Sequence, residues 1–245
     1  MWNFLFNPRY SRTLLALFIL FAVAWAFNPV DRATWLLENA LAVVLVAALA
    51  FSFRRFPLSN ISYTLIFLFL CLHTVGAHYT YSMVPYDHWT HALTGATLNS
   101  WFGFERNHYD RFVHFAFGLL MAYPIREIFL RIARVRGFWG YYLPLDVTMS
   151  FSLLYELIEW GAAVVFGGEL GQAYVGAQGD EWDAHKDMAL AALGALISMS
   201  VVALVNWKFD RNFGTELLDS LTLRGGDTPL GERKLRDLLN PSQPG

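Results

Sequence analysis

An all-α bundle of about six transmembrane helices, with both chain ends in the cytoplasm, is the fold this sequence predicts. Three observations carry that reading. Of 245 residues, 56% are hydrophobic and only 16% charged, against roughly 45–50% and about 25% in soluble domains. The apolar residues gather in runs long enough for a hydrocarbon core, which takes about 20 residues of helix at roughly 1.5 Å rise each. Lysine and arginine cluster in alternate connections between those runs.

The spans are expected near residues 13–27, 34–52, 60–79, 110–131, 142–166 and 187–206. The first, preceded by Arg9 and Arg12, also fits a signal peptide with Ala24-Trp25-Ala26 as its cleavage site, which would leave five spans. The second, third and sixth are clear. The fourth and fifth carry ionisable residues. Asn28-Pro29, Pro57, Pro85, Gly137, Gly140 and the glycines from Gly167 to Gly179 separate them. Arg9 and Arg12, Arg54 and Arg55, Arg131, Arg134 and Arg136, and Lys208 and Arg211 all fall on one side if the chain starts inside and crosses six times. The last outer connection is acidic, with Glu169, Asp180, Glu181, Asp183 and Asp187 against Lys186.

Residues 80–109 form a long outer connection rich in Tyr and Trp, side chains that favour the headgroup layer. Residues 1–207 are expected to form the bundle and 208–245 a cytoplasmic tail, with a short amphipathic stretch near Glu232–Leu239. A net charge of −2 gives no sign of a nucleic-acid surface. The single cysteine, Cys71, excludes an intramolecular disulfide and reads as a small buried hydrophobe.

Charged groups inside a span cost about 2.5–3.5 kcal/mol each on insertion scales, so they usually face a polar interior and have a use there. Asp110 and His114 lie four apart on the fourth span, with His108 just before them. Glu156 and Glu159 lie three apart on the fifth, and Asp183 and Asp187 four apart at the start of the sixth. Each pair shares a helix face. The third span ends at His73 and His78. The topology brings all of them to the outer side, Glu159 about seven residues or roughly 10 Å deep. One polar pocket is the simplest account. Histidine with carboxylates suits Zn²⁺, Mn²⁺ or Fe²⁺, so His78, His108, Asp110, His114 and Asp183 are the candidate metal ligands. Glu156, Glu159 and Asp187 are the candidate catalytic carboxylates, a free one such as Glu156 serving as general base. Structural readings stand beside these: ion pairs of Asp110 with Arg111 or of Arg106 with Glu159, a solvated helix start for Asp183 and Asp187, a core role for His73, and a surface role for His88 and His91.

Several stretches resemble the bacterial YjdF-like inner membrane proteins. They are Asn28-Pro29 with Asp31-Arg32 and Thr34-Trp35, Gly76 to Tyr81, Trp101 to Phe104, Arg106 to Arg111, Tyr155 to Trp160, and Gln178 to Asp183. The match covers roughly residues 25–206 and implies a multi-pass protein of the cytoplasmic membrane. Asp110-Arg111-Phe112-Val113-His114-Phe115 also resembles a motif of the VanZ-like membrane proteins, as do Glu156 to Glu159 and Asp187 to Gly194. Glu159 and Ala191 depart from that family's glutamine and asparagine. The function expected from all this is an outer, metal-assisted site acting on a lipid-linked or envelope substrate by hydrolysis or group transfer. The rivals are a proton- or cation-coupled transporter, which needs polar residues continuing across the bundle, and a membrane scaffold without catalysis.

Overall fold

The computed structural model describes residues 6–168, 177–222 and 238–239. Within these residues the chain is helical and contains no strand. Six long helices alternate in direction: α1 (Pro8–Trp25), α2 (Arg32–Ser52), α3 (Asn60–His78), α6 (Tyr109–Ile128), α7 (Trp139–Phe166) and α8 (Asp183–Phe209). Between α3 and α6 come two short helices, α4 (Tyr86–Thr94) and α5 (Leu98–Phe102), and α9 (Phe213–Asp219) follows α8. Five of the six long helices, α2, α3, α6 with its continuation to Ala133, α7 and α8, have the length and mean hydropathy to cross a bilayer.

The helix α1 is shorter and starts among arginines, yet it lies along the whole of α3. The amide of Asn7 donates to Asn60 Oδ1 at 2.9 Å, Tyr10 and Thr64 share a 2.7 Å hydrogen bond, and Trp25 carbonyl meets His78 Nδ1 at 2.8 Å. Both helices therefore run the same way and span the same height. The next turn back begins where Val30 N donates to His78 carbonyl, with Asp31 capping α2 through Thr34 N at 2.6 Å.

The core sits on α6. It packs antiparallel to α3, from Tyr109, whose hydroxyl donates to Leu72 carbonyl at 2.9 Å, to Glu127 at the far end. There the Glu127 carboxylate accepts from Ser59 N at 2.9 and 3.0 Å, from Ser62 Oγ at 2.5 Å and from Arg131 Nη1 at 2.6 Å. On its other face α6 runs parallel to α8 in backbone contact. A Cβ on Gly118 would lie 1.9 Å from Ala191 carbonyl oxygen, and one on Gly194 would lie 2.2 Å from Phe115 carbonyl oxygen. Ala122, Ala191 and Ala195 are fully enclosed along the same seam. Small residues are what allow such an approach between membrane helices. Ala191, Gly194 and Ala195 supply the α8 side of this contact, whereas a Cβ on Gly161 of α7 would meet nothing within 4 Å.

The distribution of polarity is the reverse of a soluble domain's. Outward faces carry large apolar side chains such as Val43, Val44, Phe51, Val165 and Leu204, while Glu38, His73, His114, Glu159, Asp183 and Asp187 are buried. Lipid as the surrounding solvent explains both halves of that pattern. The alternating directions give the bundle two ends. Arg9, Arg12, Arg54, Arg55, Arg131, Arg134, Arg136, Lys208 and Arg211 all lie at or beyond the lower end, where α1, α3 and α7 begin.

The long connection folds as α4 and α5, with Trp89, Leu93, Trp101 and Phe102 exposed. It is stitched down by Tyr86, whose hydroxyl donates to Asn99 Oδ1 at 2.7 Å, and by Asn107 Nδ2, which donates to Val84 carbonyl at 2.8 Å. The tail begins by folding back: Ser220 Oγ accepts from Phe138 N and its carbonyl from Trp139 Nε1, both at 2.9 Å. Of the expected amphipathic stretch near residue 232, all but Leu238 and Leu239 lies outside the described residues, as does Glu169.

Candidate functional site

The first turns of α6 and α8 stand side by side at the upper end because of the glycine seam one turn below. That places Asp110 and His114 opposite Asp187. One ligand atom from each of the three lies within 4.8 Å of the others. From α7, Glu156 Oε1 stands 3.5 Å from His114 Nε2, and Asp110 Oδ1 is 3.7 Å from the same nitrogen. Glu159, only 5% exposed, is next to Glu156 and close to Asp110 and Asp187. Three helices thus bring three carboxyl groups to one imidazole, with Glu159 beside Glu156.

Two of those oxygens have no partner. Glu156 Oε1 and Asp187 Oδ1 are enclosed and receive no hydrogen bond. A buried acceptor in that condition costs about 1–3 kcal/mol, more when charged, and several acids together repel one another. A cation among them would offset that repulsion.

A fifth acid, absent from the candidates that spacing picks out, joins from α2. Glu38 of α2 is 4% exposed and accepts the Tyr155 hydroxyl proton at 2.9 Å. The ring of Tyr155 meets His114 edge-on, with centroids 5.7 Å apart. Tyr155 therefore links Glu38 to the imidazole. The available signal was a lone acid in an otherwise apolar span, which membrane energetics marks as functional by default.

Other candidates are placed elsewhere. His78 binds the Trp25 carbonyl and stacks edge-on with Trp25 and Tyr79, so it belongs to the α1–α3 contact. His108 precedes α6 and stacks on Phe104 at 4.1 Å, outside the acid group. Burial and the guanidinium groups of Arg111 and Arg106 push this imidazole below its ordinary range. Asp183 is taken by arginines: it accepts from Arg106, and from Arg111 at 3.0 Å. Arg106 is paired with Asp183 and Asp180 in place of Glu159, and its Nη1 also donates to Ala177 carbonyl at 2.6 Å. Asp180 accepts from Arg111 as well, and from Lys186 at 2.6 Å. These residues form an ionic rim over the buried group. His73 sits in the core with its Nδ1 against the Tyr81 hydroxyl, as expected of a structural histidine.

A family of multi-pass proteins should keep this whole architecture in one stretch of chain, and it does. A family model described as "Predicted membrane protein (DUF2238)" matches residues 10–208. The inner membrane protein YjdF of Escherichia coli (strain K12) is 39% identical over 209 residues, covering 85% of this chain and 96% of that one. The chain belongs to the YjdF-like membrane proteins. It is accordingly a multi-pass protein of the inner membrane. The matched stretch runs from α1 to the end of α8 and so contains Glu38, Asp110, His114, Glu156, Glu159 and Asp187. No solved structure matches this YjdF-like chain.

Proposed function

We propose that Asp110, His114, Glu156 and Asp187 hold a divalent cation near the extracytoplasmic face, and that the bound ion serves hydrolysis or group transfer on a lipid-linked or envelope substrate. The observation that carries this reading is the pair of enclosed, unpartnered oxygens, Glu156 Oε1 and Asp187 Oδ1, beside His114 and Asp110. Opposite ligands at about 2.1 Å each lie at most about 4.2 Å apart. The present spread of 4.8 Å closes with a shift of a few tenths of an ångström per side chain. One nitrogen with several carboxylate oxygens suits Zn²⁺, Mn²⁺ or Fe²⁺.

The basic lower end is assigned to the cytoplasm by the positive-inside rule, with six crossings and both ends inside. The acid group then faces outward within reach of a headgroup. A bound ion would supply a Lewis acid and lower the pKa of a coordinated water. Glu159, next to Glu156 and outside the ligand set, would accept the proton of the attacking water and return it to the leaving oxygen as the ester bond breaks. The ionic rim of Arg106, Arg111 and Lys186 stands where an anionic substrate would approach.

A transporter needs the polar path to continue. Below the acid group, α6 and α8 close on each other at Gly118, Ala191 and Gly194, followed by Ala122, Ala195 and Met199. That tight apolar seam favours a one-sided site. Elemental analysis of purified protein tests the reading: about one equivalent of a divalent transition metal is expected, and Asp110→Asn with His114→Gln should remove it without unfolding the bundle. Equal metal in both proteins, or none in either, contradicts it.

A further inference from the structure

At the lower end, a polar cavity of about 330 Å³ opens between the end of α6, the start of α7, the end of α8 and α9. Its size falls at the lower end of small-molecule sites, roughly 300–1,000 Å³. Arg126, one turn from the end of α6, is half-buried in its wall and lies over the Tyr141 ring at 4.8 Å. Its Nε is enclosed without a partner. Among the described residues, the whole guanidinium fork has no acceptor. Every other arginine that is withdrawn from solvent in this bundle is paired: Arg106 and Arg111 with Asp180 and Asp183.

The wall around Arg126 carries both signs. Arg136 lines it on one side, and Asp210 and Glu216 on the other. Neither acid is bonded to Arg126. Tyr141 hydroxyl accepts from Asn206 Nδ2 at 2.7 Å, which leaves its own proton to donate. A guanidinium fork with a hydroxyl donor matches a phosphate, bidentate on the arginine. The Asp210 and Glu216 carboxylates lining the same cavity match a primary ammonium with its three donors. Helix α9 is fixed over this cavity by its Ser220 bonds, and Gly137 is pressed so close that a Cβ would lie 2.2 Å from Glu216 carbonyl oxygen. The cavity is thus walled on its tail side by built structure and sits where a spanning helix ends, at headgroup depth.

We infer that the Arg126 cavity binds a phosphoethanolamine group, phosphate on Arg126 and ammonium toward Glu216. The site is independent of the proposed metal centre, which lies at the opposite end. Glycerol headgroups offer the two acids only neutral hydroxyl donors and no positive charge. Choline headgroups carry a quaternary nitrogen without N–H donors, so both should bind less well.

The test uses full-length protein, delipidated in detergent and followed by native mass spectrometry. In one arm it is titrated with phosphatidylethanolamine, phosphatidylcholine or phosphatidylglycerol of matched acyl chains, in the other with soluble O-phosphoethanolamine. Expected is one retained molecule of phosphatidylethanolamine, at least fivefold over the other two lipids. Arg126→Gln should abolish that retention. Glu216→Gln, an exposed change that should leave folding intact, should erase the preference for ethanolamine while keeping phospholipid. Arg126-dependent binding in the lipid arm alone assigns the site to a membrane lipid, and binding in both arms assigns it to the headgroup whatever its source. Equal retention of all three lipids, or full retention by the Arg126 variant, overturns the inference.

Discussion

His114 has carboxylates on three sides: Asp110 one turn earlier on its own helix, Glu156 across α7 and Asp187 across α8. Its orientation depends on the Tyr155 ring, which Glu38 holds by the 2.9 Å hydrogen bond. Partners behind metal ligands are commonly worth 10–100-fold in affinity. Tyr155→Phe keeps the ring and loses the bond to Glu38. Metal affinity of this variant, measured by chelator competition, should fall on the order of tenfold, and unchanged affinity would detach Glu38 from the site. A pH effect belongs to the rim. The hydrogen bond from Lys186, then those from Trp182 N and Arg111, hold Asp180 below the ordinary aspartate value of 3.8. A lowered pKa in the folded state adds stability that is present above the ordinary value and lost as pH falls below it. Protection of the amides of residues 177–183 from hydrogen exchange, taken relative to the intrinsic rate at each pH, should therefore be high at neutral pH and fall below about pH 4. Asp180→Asn should show the low protection already at pH 7.

The seam between α6 and α8 sets the distance between Asp110, His114 and Asp187, so its glycines matter to the site as much as to the fold. Gly118→Ala forces a Cβ into Ala191 carbonyl oxygen, now 1.9 Å from that position. Overpacking of this kind costs about 1–3 kcal/mol, and the widened crossing should also weaken metal binding. Gly161→Ala, on an open face, should be neutral or slightly stabilising, since alanine is the better helix former by roughly 1 kcal/mol. Thermal unfolding of the two variants checks the pair, and equal melting temperatures would contradict the seam. Spacing along the chain was enough to read the helix-sharing pairs, because three- and four-residue intervals fix a face by themselves. It did not assign a heading around the bundle axis. His78 and His108 have suitable depth and type, but Trp25 carbonyl and Phe104 claim them from other elements. Asp183 shares a face with Asp187, yet two arginines from the α6 region reach it first. Glu38 was hidden by the opposite fault, a single acid inside a span whose average is apolar.

At the scale of the whole molecule, hydropathy and the arginine pattern foretold the class of fold, and five helices fit it by length and composition. Contacts add that α1 lies parallel to α3 over its full height. Sidedness is the quantity that contacts do not carry. A cysteine introduced in the exposed α4–α5 connection, in a Cys71→Ser background, should react with a membrane-impermeant maleimide in intact cells, while one placed after Lys208 should not. The reverse pattern would put the acid group on the cytoplasmic face and remove its access to envelope substrates. The bundle therefore joins two things: a tight apolar seam and, above it, acids to which no lysine or arginine is bonded among the described residues. X-ray absorption at the metal edge of the purified protein tests that union most directly. The account predicts a shell of oxygen and nitrogen at about 2.0–2.2 Å with a single imidazole, and His114→Gln should erase the imidazole signal. A metal-free protein, or a shell of sulfur or of several histidines, would contradict it.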